Sequence, residues 1–288
     1  MDWLLYLKAA LLGLIEGFTE FLPISSTGHL IVFEDLLNFE IERRVPFIIA
    51  IQAGAILAVC WEYRERLLRL AAGLLSDRAE QRLALNIAIG FLPAAVMGVL
   101  FKNAIETRLF NPVSVAIALV VGGVVILLVE WRHKRHYGAR DLEGKRQARV
   151  ETIDDIRWTD ALAVGCFQCL ALIPGTSRSG ATIIGSLVIG FSRVAAAQYS
   201  FFLAIPTVIG ATVYSLYKAR DQLTASDIPL FTVGSVCAFI SALICVRWLL
   251  KFISTRDFTG FAWYRIFFGG FILLTAYLGW VNWSDVRG

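Results

Sequence analysis

The run PVSVAIALVVGGVVILLVEW, residues 112–131, carries no charge before Glu130. At about 1.5 Å per residue, a helix of that length crosses a hydrocarbon core of about 30 Å. Stretches 46–61, 82–101, 194–215, 229–250 and 261–283 read the same way. Of the 288 residues, 57% are hydrophobic and 17% charged, with a mean hydropathy of +0.67. A water-soluble domain balances these classes more evenly and breaks its apolar residues into short amphipathic patterns. The expected class is an all-α polytopic membrane protein, one integral domain over residues 1–288. Met1-Asp2 opens without a basic region, so no cleavable signal peptide is expected. Cys60, Cys166, Cys169, Cys237 and Cys245 lie in apolar stretches. Cys166 and Cys169 have CxxC spacing, but no second pair or thioredoxin-like context accompanies them. They read as small hydrophobes without a redox role.

Basic residues fall unevenly between the spans. Segment 62–82 holds Arg64, Arg66, Arg69, Arg78 and Arg82. Segment 132–157 holds Arg132, Lys134, Arg135, Arg140, Lys145, Arg146, Arg149 and Arg157. The alternate loops carry only Arg43 and Arg44, Lys102 and Arg108, or Lys218 and Arg220. The positive-inside rule places the two rich segments in the cytoplasm. Asp141, Glu143, Glu151, Asp154 and Asp155 interleave with the second set. That mixture favours a solvated, orientation-setting loop, with His133 and His136 in water, and no nucleic-acid partner.

Alternation then closes only if segments 3–37 and 159–190 each enter and return on one side. Each contains a proline, Pro23 or Pro174. Proline removes a backbone donor and disfavours helix in the residue before it, so each segment reads as two half-helices meeting inside the membrane. The halves also resemble each other: Gly13, Glu16 and Pro23 correspond to Gly165, Gln168 and Pro174 with a one-residue gap. Each hairpin precedes three spans, the first entering from outside and the second from the cytoplasm. The expected architecture is six transmembrane helices plus two re-entrant helical hairpins in an inverted-topology repeat. Repeat one covers 1–131, the cytoplasmic loop 132–157 and repeat two 158–288. Gly122-Gly123 permits close packing within or between chains, which leaves a homodimer open.

Non-helical backbone at membrane depth persists only where protein or a watery cavity surrounds it, and ionisable residues there are functional candidates. Both arguments select EGFTEFLPISSTGHL (16–30) and PGTSRSGATI (174–183). In the second, Gly175 and Gly180 allow close backbone approach, and Thr176, Ser177, Ser179 and Thr182 bring hydroxyls. Arg178 is its one charge, and a helix starting near Ser179 aims free N–H groups at the loop. Such a set binds phosphate or another anion. The plainer alternative is that the hydroxyls only cap a helix and Arg178 pairs with a glutamate. In the first stretch Ser25 or Ser26 is an N-cap or nucleophile, with Thr27 beside them, and His29 shares a face with Ser26. Glu16 and Glu20, one turn apart, form a general base or hold a divalent cation. Together these groups read as phosphoryl chemistry on a lipid diphosphate or monophosphate, with apolar helices for its tail.

These segments, with IQAGAILAV (51–59), CFQCLALIPGTSRSGATI (166–183) and DIPLFTVG (227–234), resemble the signature segments of the undecaprenyl-pyrophosphate phosphatase family, the bacitracin-resistance proteins. Order and spacing match along nearly the whole chain. The resemblance implies an inner-membrane hydrolase of bacteria that removes the terminal phosphate of undecaprenyl pyrophosphate, regenerating the carrier lipid for peptidoglycan and other envelope polymers. It further implies a site opening to the periplasm and a divalent cation, Mg2+ or Ca2+. Glu16 and Glu20 would be metal or base carboxylates, Ser26 the nucleophile and His29 its proton-transfer partner. Ser25, Thr27, Gly175, Thr176, Ser177, Arg178, Ser179 and Thr182 would bind the substrate. Whether Ser26 attacks or orients a water stays open. A carrier remains the rival class, since broken helices in inverted repeats also build transport sites. A carrier, however, needs no nucleophile.

Overall fold

Proline and serine punctuate both hairpins in the computed structural model, which describes residues 3–39, 41, 43–135, 148–220 and 223–281. Helix α1 (Trp3–Phe21) stops two residues before Pro23, and α2 (Ser26–Leu36) begins three after it. In the second half, α7 (Trp158–Cys169) runs into a 3-10 turn, Leu170–Leu172, and α8 (Arg178–Val188) restarts beyond Pro174. Between the hairpins lie α3 (Arg44–Glu62), α4 (Arg64–Gly73), α5 (Arg78–Leu109) and α6 (Pro112–His133). After the second come α9 (Arg193–Ala219), α10 (Ile228–Ile253) and α11 (Thr259–Leu278). Among the described residues, α3, α5, α6, α9, α10 and α11 are long and apolar enough to span a membrane.

Two details differ from the sequence-based expectation. Segment 62–82 is not all loop, because RERLLRLAAG folds as α4. Arg66 of that helix pairs with Glu80 of α5 and with Asp154 at 2.5 and 2.7 Å, so its charge is met by protein rather than by water alone. His133, expected in water, is half-buried at the end of α6. Residues His136, Arg140, Asp141, Glu143, Lys145 and Arg146 lie outside the described residues. All five cysteines are free.

Helix starts follow local chemistry. Asn111 accepts from the Ser114 N–H at 2.9 Å with Pro112 opening α6, a strong N-cap followed by the residue best suited to a first turn. At the far end of α6, the buried Glu130 takes Arg193 Nη2 at 2.6 Å and the Phe258 N–H at 3.1 Å. One carboxylate thus ties α6 to the starts of α9 and α11.

The halves pack through each other. Helix α1 lies along α10, and α7 lies along α5. Helix α6 meets α11, and α3 meets α9 and α10. The closest approaches repeat as well. A Cβ on Gly13 would stand 2.1 Å from the Gly234 carbonyl oxygen, and one on Gly165 would stand 2.6 Å from that of Gly90. The matched Gly13 and Gly165 therefore occupy equivalent crossings. The pair Gly122-Gly123 serves packing within the chain, because a Cβ on Gly123 would meet the Ala262 carbonyl oxygen at 2.7 Å.

Backbone cannot yield at such crossings as a flexible side chain could. Gly13→Ala and Gly165→Ala should each destabilise the protein by about 1–3 kcal/mol, the cost of an overpacked contact. Gly270→Ala, with nothing within 4 Å of the added carbon, should be neutral. Unfolding midpoints in detergent check the contrast.

Candidate active site

Each broken helix restarts on a serine in an unusual conformation. Ser25 caps α2 with φ 73° and accepts from the Gly28 N–H at 3.5 Å. Ser177 caps α8 with φ 72° and accepts from the Gly180 N–H at 3.1 Å. Positive φ in a residue with a Cβ costs on the order of 1–3 kcal/mol and persists where surrounding structure enforces it. Both strained serines are followed by the residue each helix presents first: Ser26 in one half, Arg178 in the other. The second helix thus starts one residue before the expected Ser179.

These two meet at Glu20. Ser26 Oγ donates to Glu20 Oε2 at 2.7 Å. Arg178 Nε and Nη2 donate to Glu20 Oε1 at 3.2 and 3.0 Å, and its Nη1 donates to the Ser200 carbonyl at 3.2 Å. The Glu20 and Arg178 side chains are each 11% exposed, enough shielding for the pair to act at more than surface strength. The capping and pairing expected of the plainer alternative are therefore both present, but the Ser26 hydroxyl joins them. The second loop is also stitched to the end of α1, since Ser179 Oγ lies 2.8 Å from the Leu22 carbonyl and 3.1 Å from that of Glu20. Ser177 Oγ lies 3.1 Å from Ser179 Oγ.

The other predicted residues divide. Thr27 and Thr176 are half-buried at the two helix starts. Gly175, at φ 93°, lies so close to α6 that a Cβ would stand 2.5 Å from the Val115 carbonyl oxygen. Only glycine meets both demands. Thr182 is fully buried, its hydroxyl 2.6 Å from Ser200 Oγ and 2.9 Å from the Arg178 carbonyl. That side chain braces α8 on α9 rather than facing a ligand. His29 likewise turns from Ser26. Its Nδ1 lies 2.7 Å from the Ser25 carbonyl and its Nε2 2.6 Å from the Tyr264 hydroxyl, with the ring stacked on Phe268. A carbonyl only accepts, so Nδ1 carries hydrogen, and in the neutral ring Nε2 accepts from Tyr264. Glu20, not His29, is the group at hydrogen-bond distance from the Ser26 hydroxyl.

Glu16 is fully buried one turn below Glu20, and neither of its oxygens has a hydrogen-bond partner among the described residues. Among the described residues no three His, Cys, Asp or Glu side chains gather as a metal cage. A hard cation held by one or two carboxylates and completed by phosphate oxygens needs no such cage. The two vacant oxygens of Glu16 beside Glu20 fit that kind of site.

Two residues at the site were not picked out from the sequence, Tyr264 and Arg265. Arg265 is 1% exposed and donates to the carbonyls of Pro23 and Thr176 at 3.0 and 2.8 Å, one in each loop. Its signal was present as an arginine inside the apolar stretch 261–283. Tyr264 gave none, because a tyrosine in a span is ordinary.

Comparison with known proteins adds to this geometry. The family model described as bacitracin resistance protein BacA matches residues 9–271. The undecaprenyl-diphosphatase of Methylibium petroleiphilum is 59% identical over 285 residues, 99% of this chain and 100% of that protein. Those of Janthinobacterium sp. and Nitrosomonas europaea are 58% and 57% identical, each over 99% of this chain and 100% and 99% of their own length.

The strained cap can be probed without chemistry. Ser177→Ala loses the cap bond and keeps the positive φ, so it should cost about 1–2 kcal/mol. Ser177→Gly, which adopts that φ freely, should cost a few tenths, roughly. Thermal unfolding in detergent measures both.

Proposed function

The chain belongs to the bacitracin resistance protein BacA family, and from that premise we propose that it is an undecaprenyl-diphosphatase. It hydrolyses undecaprenyl pyrophosphate to undecaprenyl phosphate and inorganic phosphate. That returns the carrier lipid to cell-envelope synthesis and, with extra enzyme, confers resistance to bacitracin. The observation that carries the reading is the Ser26–Glu20–Arg178 chain at the meeting point of two broken helices.

The roles follow from the contacts. Ser26 Oγ attacks the terminal phosphorus while its proton passes to Glu20, 2.7 Å away. Hydrogen bonds from Arg178 hold Glu20 in place for that transfer. A guanidinium has five N–H groups, and three of those on Arg178 are engaged. Its remaining two are free of protein acceptors among the described residues and stabilise the charge on the transferred phosphoryl group. The P–O bond to the lipid phosphate breaks, and the monoester leaves as an anion of low basicity. Water then attacks the phosphoserine. The Ser26 Oγ–P bond breaks, both protons of the water leave on the phosphate, and Glu20 returns the first proton to Ser26 Oγ. The free N–H groups at the start of α8 and the hydroxyls of Ser25, Thr27 and Thr176 bind the diphosphate. His29 sets the Ser25 backbone and reaches the chemistry only through it.

Glu16, with Glu20, would hold Mg2+ or Ca2+, which when bound neutralises diphosphate charge. The inner-membrane location, the periplasmic opening and the opposed insertion of the two halves belong to the same proposal. They are supported by the arginine-rich 62–82 segment and the exchanged pairing of α1 with α10 and α7 with α5.

Purified protein in detergent with Mg2+ should release phosphate from a polyprenyl pyrophosphate. Glu20→Ala and Ser26→Ala should lose most of that activity. Arg178→Ala should lose about 10²–10³-fold, as for a removed transition-state donor. EDTA should silence the parent and added Mg2+ restore it. No release from well-folded parent under any metal would defeat the hydrolase reading and bring the carrier forward.

A further inference from the structure

Arg265 is the largest fully buried side chain among the described residues, and its hydrogen bonds among them all go to backbone carbonyls, none to a carboxylate. Its Nη1 donates to the carbonyls of Pro23 at 3.0 Å and Thr176 at 2.8 Å. Nη2 donates to those of Gly175 and Ala118, both at 3.1 Å, and Nε to that of Leu119 at 3.3 Å. A guanidinium has five N–H groups, and each of them is matched by a backbone carbonyl here. An unpaired cation at this depth is expensive. Apolar packing, by contrast, cannot satisfy carbonyls left open by broken helices.

We propose that Arg265 is a positioning residue for the phosphatase centre. It holds the tips of both hairpins and the middle of α6 in one arrangement, so that Ser26 and Glu20 of the first hairpin meet Arg178 of the second. The inference rests on the phosphatase reading. Among the described residues Arg265 makes no hydrogen bond to any of those three side chains. Its effect runs through the backbone, since Pro23 lies between Glu20 and Ser26, and Thr176 lies two residues before Arg178. The planar fork sets all five carbonyls relative to one another, which the mobile ammonium of lysine does not do.

Its neighbour on α11 reinforces the grip. Tyr264 bonds His29, and His29 bonds the Ser25 carbonyl. Adjacent residues of α11 therefore hold the carbonyls on both sides of Ile24, Pro23 through Arg265 and Ser25 through His29. Close contact with α6 depends on Gly122, where a Cβ would stand 2.1 Å from Arg265 Nη2.

The test compares parent, Arg265→Lys, Arg265→Met, Gly122→Ala and Tyr264→Phe as purified proteins with Mg2+. The readouts are unfolding midpoint, kcat and KM on a polyprenyl diphosphate, and binding of its non-hydrolysable methylene-diphosphonate analogue. Arg265→Met should lose about a hundredfold in kcat, the scale of an ångström of misplacement. Analogue binding should stay within about threefold, because transition-state alignment is lost and ground-state binding is kept. Arg265→Lys, with three donors, should fall between Arg265→Met and the parent. Gly122→Ala should fall in kcat with the charge retained, and Tyr264→Phe should show a smaller loss of the same kind. If Arg265→Met does not fold, Arg265→Lys and Gly122→Ala decide by the same split. Parent-like kcat in the folded Arg265 variants would overturn the proposal. So would kcat and analogue binding falling together in step with the unfolding midpoint. Absence of turnover by the parent would instead count against the phosphatase reading itself.

Discussion

A carboxylate shared between a hydroxyl and a guanidinium, inside a protein built for lipid, is the contact on which the rest depends. Neither Glu20 nor Arg178 is tolerable alone at that depth, because removing one partner leaves an uncompensated charge. Together they close the gap between two hairpins that share no continuous backbone. Ser26 completes the set. Burial makes this arrangement possible, since water would compete for every donor in it.

Several further layers hold the shared carboxylate in place. Strained caps at Ser25 and Ser177 turn each chain so that Ser26 and Arg178 point inward. Hydroxyls of Ser177 and Ser179 stitch the second tip to the end of α1. Behind them, glycine crossings let α1 and α7 lie against helices of the opposite half. At the far end, Glu130 with Arg193 pins α6, α9 and α11. Polar groups that look misplaced in a hydrophobic chain thus act as a connected frame around the Ser26–Glu20–Arg178 cluster.

The sequence disclosed the spans, the two breaks and most of the polar residues near them. Long uncharged runs and prolines that interrupt apolar segments have few physical interpretations. The arrangement of individual side chains was harder to read. That Ser26 and His29 share a helical face is true by spacing, yet Tyr264, 235 residues away, claims the ring. Thr182 belongs to the same motif as Arg178, but Ser200 on the next helix takes its hydroxyl. Local spacing states which side chains start near each other, and tertiary neighbours decide which atoms bond. The helix at 64–73 was hidden for a related reason, because arginine density there reads as loop until Glu80 and Asp154 are seen to meet it.

The partners in the central pair stand 158 residues apart in the chain. At a synthesis rate of about 5–20 residues per second, Arg178 follows Glu20 out of the ribosome by on the order of ten to thirty seconds. Helix α10, against which α1 packs, emerges later still. For that interval the first hairpin has neither its cation nor its packing surface. The N-terminal segment therefore cannot reach its final setting until the second half has been made. Assembly of the site must be a late event, completed by the last helices and not by the first.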